Sequence, residues 1–284
     1  MTYSNNLSSL IDLALQEDLG SGDLTSKLII PFNLKSKAVV RARTPIVLSG
    51  TSVFQKVMER VDSEILTKIF IHDGAEANPE DIILELTGPT QSILAAERTA
   101  LNFLMRLTGI ATLTRKYVKA IGSQRAQLLD TRKTTPGFRI LEKAAVRHGG
   151  GKNHRFALYD GILIKDNHIQ AAGGVKEALS LAKQNAPLGL KIELEVETIE
   201  ELIIALENEV DIILLDNMDI KTLTKAVETA NLFFAPHPRR VILEASGGVN
   251  LETIGAISQT GVDYISVGAI THSASWADLG LDFI

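Results

Sequence analysis

The chain has 284 residues, 45% hydrophobic and 22% charged, with a formal net charge of −5. Such a composition excludes a disordered chain, and it argues against bulk nucleic-acid binding, which draws on a basic surplus. The absence of cysteine excludes disulfides, thiolate zinc ligands and thiol nucleophiles.

The first twenty residues, MTYSNNLSSLIDLALQEDLG, lack a basic-then-apolar secretory pattern. No apolar run reaches the roughly 18 residues a membrane helix needs. A cytoplasmic enzyme is therefore expected. Residues 7–15 have helical spacing of apolar side chains, and DLGSGDLT at 18–25 breaks it with turn chemistry. Three β-like runs come next, over 37–50, 65–74 and 81–88, each ending at glycine. The segment 91–121 then lacks proline and reads as one long helix, with Gly109 as an expected interruption. On it Arg98, Asn102 and Arg106 fall at i, i+4 and i+8 and make one polar stripe, which is either a solvated face or part of a site.

Beyond residue 126 the pattern changes to apolar runs alternating with helix-like segments. The runs are AQLLD, GILIKDNH, KIELEVE, VDIILLDN, VILEASGG and VDYISVGA. Alternation of this kind implies parallel strands joined by right-handed crossovers, with both faces of the sheet covered. Six strands fit a barrel short of the usual eight, or an open sheet.

In a parallel barrel the C-terminal strand ends converge on one mouth, where reactive groups collect. Those ends supply Arg132 and Lys133, Lys165, Glu195, Asp216, then Ser246 with Gly247 and Gly248, and Gly268. Glycines after the last two strands let backbone N–H groups approach a phosphate closely. The cations have a second concentration: from Thr131 to Arg155 there are seven Lys or Arg and two His against the single acid Glu142. Arg132, Lys133, His154, Arg155 and Lys165 would form a cationic bowl facing the phosphate loops, so the expected ligand carries several negative charges. Lys143 and Arg147 sit at helical spacing and read as solvated. Glu195 and Asp216 read as partners either for Mg²⁺, which takes oxygen ligands and substrate phosphates, or for ribose hydroxyls. The histidines lack zinc-ligand spacing, and there is no P-loop, nucleophile elbow or dinucleotide fingerprint.

The segments ERTALNFLMRLTGIAT, DTRKTTPGFRILEKAAVRHGGGKNHRFALYDGILIKDNHI, ELEVE, ILLDN, EASGG and GVDYISVGAITHS, taken in order, resemble the quinolinate phosphoribosyltransferase family over nearly the whole chain. His148 stands where that family often has cysteine. The resemblance implies an N-terminal α/β sandwich over 1–112 and a six-stranded, incomplete TIM-like barrel over 113–270, with the tail 271–284 expected to pack back onto the sandwich. It implies conversion of quinolinate and phosphoribosyl pyrophosphate to nicotinate mononucleotide, pyrophosphate and carbon dioxide with Mg²⁺, within NAD biosynthesis. It also implies a homodimer whose sites are shared. Arg98 of the partner, with Thr131, Arg132, Lys133, His154, Arg155 and Lys165, would bind quinolinate. Lys133, Lys165, Glu195 and Asp216 would be catalytic, Glu195 and Asp216 would also hold ribose and metal-bound diphosphate, and Ser246, Gly247, Gly248, Val267 and Gly268 would hold the 5′-phosphate. Rival readings are a lyase or isomerase barrel acting on a sugar phosphate, a non-catalytic relative associated with molybdenum transport, and a scaffold. The cation surplus argues against the first, retention of TRKTTPG and LIKDNH against the second, and the converging strand-end charges against the third.

Overall fold

The computed structural model describes residues 3–238 and 241–284. The chain divides into two compact units, one formed by residues up to Arg115 with Thr135–Gly150 and Ser273–Ile284, the other by Lys116–Thr134 and Gly151–His272.

In chain order the first unit begins with helices α1 (Tyr3–Leu19) and α2 (Leu24–Ile29). Asp23 caps α2, its carboxylate accepting from Ser26 N at 3.1 Å. Next come strands β1 (Lys35–Ala42) and β2 (Ile46–Val47), helix α3 (Thr51–Val61), and strands β3 (Leu66–Ile69), β4 (Glu76–Ala77) and β5 (Ile82–Pro89). β1, β3 and β5 join the C-terminal strand β12 (Leu279–Phe283) in an antiparallel sheet of order β12-β1-β5-β3. β12 pairs with β1 in the register Val40↔Leu281, so the tail completes this sheet. One side of α3 buries Val53, Phe54, Val57 and Met58, the i, i+3, i+4 spacing of an amphipathic helix.

Helix α4 runs without a break from Thr90 to Ile121. Gly109 does not interrupt it. A Cβ at 109 would collide with the carbonyl oxygen of Ser275, so the glycine serves a close backbone approach. Lys143, expected to be solvated, is instead 2% exposed on α5 (Arg139–His148). That helix buries Leu141, Glu142, Lys143, Ala145 and Val146, more than one stripe of its surface, and leaves Arg147 outside.

The second unit holds six parallel strands: β6 (Gln127–Leu129), β7 (Ile162–Ile164), β8 (Ile192–Val196), β9 (Ile212–Asp216), β10 (Ile242–Ser246) and β11 (Tyr264–Ser266). Their order is β6-β11-β10-β9-β8-β7. Helices α6 (Asp166–Ala172), α7 (Val175–Asn185), α8 (Ile199–Glu207), α9 (Ile220–Phe234), α10 (Ile254–Gln259) and α11 (Ala269–His272) alternate with them. Leu179, Leu202, Ala205, Ala226, Ala230 and Ile254 on these helices are all 2% exposed or less, as are Leu194, Ile213, Leu243 and Ile265 on the strands. Burial on both faces explains why the strands read as apolar runs. The sheet curls until β7, β9, β10 and β11, with the loop that follows β6, all line one cavity. Among the described residues no ladder joins β6 to β7; β6 is flanked instead by a single parallel bridge, Leu129↔Lys152. The expected six-stranded parallel array is present, with a seam between its first two strands.

Candidate active site

Strand register brings the predicted strand ends together. Ser246 on β10 stands opposite Asp216 on β9, and Ser266 on β11 opposite Leu129 on β6. A cavity of about 520 Å³ opens at these C-terminal ends, lined by Thr131, Arg132, Lys133, His154, Arg155, Lys165, Asp216, Ser246, Gly247 and Gly248. Glu195 reaches it through its ion pair with Lys165. Val267 is buried, and its N–H donates to Leu129 O at 3.0 Å, so it fixes strand β11 beside β6. Gly268 packs against Lys133, whose Cδ would lie 3.0 Å from a Cβ placed there. Arg98 belongs to α4 in the first unit. His148 also lies in the first unit, its Nδ1 2.9 Å from Ser49 Oγ.

Local bonding explains why the cation-rich loops hold their shape. Asp130, fully buried at the end of β6, accepts from His154 N at 2.9 Å and from Asn153 Nδ2 at 2.6 Å. One strand-end acid thus anchors both halves of the segment. The Lys133 carbonyl accepts from the buried hydroxyl of Thr271 at 2.8 Å. Arg155 Nη1 donates to Gly161 O at 2.9 Å, and Asp160 holds the loop between by accepting from Phe156 N and Ala157 N. At the start of α6, Lys165 N donates to His168 Nδ1 at 3.0 Å, which accounts for the histidine in LIKDNH as a helix-start bond.

The glycine-bearing side of the mouth is equally constrained. Gly247 and Gly248 have φ of 88° and 61°, the left-handed region that glycine enters without a Cβ penalty. A Cβ on Gly247 would collide with the side chain of Asn217, whereas the space beside Gly248 is open. Asn217 itself has φ 52°, donates from N to Ser246 O at 3.0 Å, and donates from Nδ2 to Asp216 at 2.8 Å. It ties the β9 and β10 ends together and orients the Asp216 carboxylate.

Sequence reasoning missed Asn217 and two acids deeper in the barrel, Glu193 and Glu244. Their signal is the two-residue period: Glu193 precedes Glu195 by two, and Glu244 precedes Ser246 by two, so each shares its strand face with a strand-end residue. Both acids are buried, and both face His154. Its Nε2 is 3.1 Å from Glu193 and 3.6 Å from Glu244. Burial, then the neighbouring Glu193 charge, pushes the Glu244 carboxyl up to about 7, against the opposing pull of His154, Ser266 and Lys165. Burial and the nearby Arg132 charge lower the Arg155 value, with Glu193 and Asp160 opposing.

The carboxylates differ in their fitness for a metal. Asp216 lines the cavity and accepts from a neutral amide, which suits an oxygen ligand for Mg²⁺. Glu195 is buried and already carries the Lys165 ammonium, which leaves it poorly suited to one.

Two family models match the chain in succession: "Quinolinate phosphoribosyl transferase, N-terminal domain" over residues 23–108 and the corresponding C-terminal domain over 110–282. A Bacillus subtilis protein named probable nicotinate-nucleotide pyrophosphorylase (carboxylating) is 41% identical over 277 residues, covering 97% of this chain and 93% of its own. A Nicotiana glauca quinolinate phosphoribosyltransferase (decarboxylating) is 39% identical over 295 residues, covering 97% of this chain and 82% of its own. The solved nicotinate-nucleotide pyrophosphorylase of Francisella tularensis superposes with a TM-score of 0.93 at 39% identity, covering 100% of this chain and 98% of that one. No helix among the described residues is long and apolar enough to cross a membrane.

Proposed function

The chain belongs to the quinolinate phosphoribosyltransferase family, and on that premise we propose that it transfers the phosphoribosyl group of phosphoribosyl pyrophosphate to quinolinate with decarboxylation. The products are nicotinate mononucleotide, pyrophosphate and carbon dioxide, and the role is in NAD biosynthesis in the cytoplasm. The observation that carries this reading is the single cavity in which Arg132, Lys133, Arg155 and Lys165 face Ser246, Gly247 and Gly248. Several cations confined together favour a ligand of high negative charge, since charge-assisted hydrogen bonds contribute roughly 1.5–3 kcal/mol each. Quinolinate brings two carboxylates and the sugar donor brings its phosphates.

The 5′-phosphate is assigned to Ser246, Gly247, Gly248 and Gly268, and the pyridine carboxylates to Arg132, Arg155 and Lys165. Lys133, between the two groups, meets the diphosphate or the pyridine. Departure of pyrophosphate leaves positive charge on the ribose, which the carboxylates of Glu195 and Asp216 stabilise from the rim. Attack by the ring nitrogen makes a pyridinium, and that cation stabilises the electron pair left on the ring carbon when the adjacent carboxylate departs as carbon dioxide, a proton from solvent then completing the C–H bond. The residues therefore work by placement and charge, without a covalent nucleophile. Asp216 would hold Mg²⁺ together with the diphosphate, the ion offsetting charge on the leaving group. Arg98 completes the quinolinate site from a second copy of the chain, in a homodimer.

The test is a paired assay with phosphoribosyl pyrophosphate, Mg²⁺ and either quinolinate or nicotinate. Nicotinate mononucleotide from quinolinate alone is the expected result. Product from nicotinate alone would overturn the substrate, and product from neither would overturn the activity.

A further inference from the structure

His154 is read by resemblance as one of the groups around the quinolinate carboxylates, yet both of its ring nitrogens are engaged inside the barrel. Nδ1 accepts the backbone N–H of Arg155 at 2.7 Å. The ring proton therefore sits on Nε2, which points at Glu193, 3.1 Å and 3.3 Å from its two oxygens. Glu244 flanks the same nitrogen at 3.6 Å. The residue's own N–H is bonded to buried Asp130. A second cavity of about 350 Å³ lies at the opposite, N-terminal ends of the strands, bounded by Ile212, Ile242 and Tyr264 among others. His154, Arg155 and Glu244 line both cavities, so these three side chains are the partition between them.

We infer that His154 is a positioning residue: its imidazole is a strut that carries the barrel-floor carboxylate Glu193 onto the backbone of Arg155 and so aims the Arg155 guanidinium into the mouth. Arg155 needs such support. One guanidinium nitrogen is tied to Gly161 O at 2.9 Å on the N-terminal side, while the group as a whole stands near Arg132, a like charge, with open space below it as well as above. Without the imidazole the two cavities join, and repulsion from Arg132 favours a guanidinium turned down towards Glu193 and Asp160. The strut thus acts on the substrate carboxylate through another residue, which separates it from a direct contact.

This inference rests on the mouth being the quinolinate site, and the paired assay on the wild type decides that first: absence of product there defeats the reading of the site, independently of the strut. With an active wild type, the experiment is quinolinate binding by calorimetry for His154→Ala, Arg155→Lys and the double variant, with Glu193→Ala and Glu193→Gln alongside. His154→Ala is expected to weaken quinolinate binding by about tenfold or more, as loss of orientation does, with the KM for phosphoribosyl pyrophosphate within about twofold of wild type. On the Arg155→Lys background the same change should cost little further, because the fork it orients is gone. Glu193→Ala should mimic His154→Ala, and Glu193→Gln, which still offers an acceptor oxygen to Nε2–H, should restore binding. An equal loss from His154→Ala on both backgrounds would show a direct substrate contact and overturn the strut. Unchanged quinolinate affinity in a folded Glu193→Ala protein would overturn it as well.

Discussion

The Lys165 ammonium and the Glu195 carboxylate form an ion pair across adjacent strands, with the lysine 44% exposed towards the cavity and the glutamate 8%. The pair therefore has an end open to the cavity and a buried end. Lys165→Ala is expected to reduce kcat by at least about a hundredfold, the scale of a lost electrostatic contact at a reacting centre. It should also lower the melting temperature, because Glu195 is left buried and unpaired. Adding Glu195→Gln to that variant should restore much of the melting temperature and none of the turnover. Near wild-type kcat in Lys165→Ala would remove the lysine from the mechanism.

Arg98 lies on α4 in the first unit, and in the proposed dimer it serves the site of the partner chain. Arg98→Ala and Lys165→Ala should each be inactive alone. Mixed dimers made from the two would carry one site with neither lesion and one with both. Reassembly from equal amounts should return about a quarter of wild-type activity, since half the dimers are mixed and half of their sites are whole. Zero recovery with demonstrated subunit exchange would place Arg98 in its own chain's site or outside any site.

Much of the barrel is legible in the sequence because parallel strands announce themselves twice, by continuous apolar runs and by the charged residues and glycines that end them. Arg132, Lys165, Asp216 and Ser246 can each be assigned to a mouth from strand ends alone. Glu193 and Glu244 cannot, since a buried acid two residues before a strand end breaks the apolar expectation without naming its partner. That partner, His154, lies on a loop 39 residues from Glu193, and no local pattern links them. Gly109 misleads for a related reason: it answers to Ser275, a tertiary neighbour, and not to the helix that contains it. The same holds for Lys143, whose helical spacing suits a solvated face while the packing of α5 buries it.

Arg106 and Glu142 form a second pair inside the first unit, 2.7 Å apart, with the carboxylate fully buried. Glu142 also accepts from Thr135 N at 3.1 Å and Thr135 Oγ1 at 2.8 Å, which fixes the turn of TRKTTPG. Arg106 donates in addition to Ala274 O at 3.0 Å, on the returning tail. Arg106→Ala should cost about 3–5 kcal/mol in urea unfolding, the range for leaving a buried partner unpaired. Arg106→Met with Glu142→Leu, which buries no charge, should cost less than the single alanine change. A loss below about 1 kcal/mol for Arg106→Ala would mean the pair behaves like a surface one.

Glu244 gives the protein a pH dependence with a definite sign. Its carboxyl is raised from 4.5 to about 7 by burial and by the Glu193 charge, so the folded state holds this proton over a range where the unfolded chain has released it. Stability rises with pH only where the unfolded state binds more protons, and here the folded state binds more. The contribution is therefore fully present below about 4.5, declines as pH rises through about 7, and stays lost above it. Glu244→Gln keeps the shape and removes the titration. It should match the wild-type melting temperature near pH 4.5 and exceed it by several degrees above pH 7, with the gap opening between those values. His154, Ser266 and Lys165 all favour the ionised form, so their removal should widen the wild-type loss. A constant gap across the range, measured by calorimetry in buffers of equal ionic strength, would show that Glu244 does not titrate there and that its burial is offset by partners beyond those three side chains.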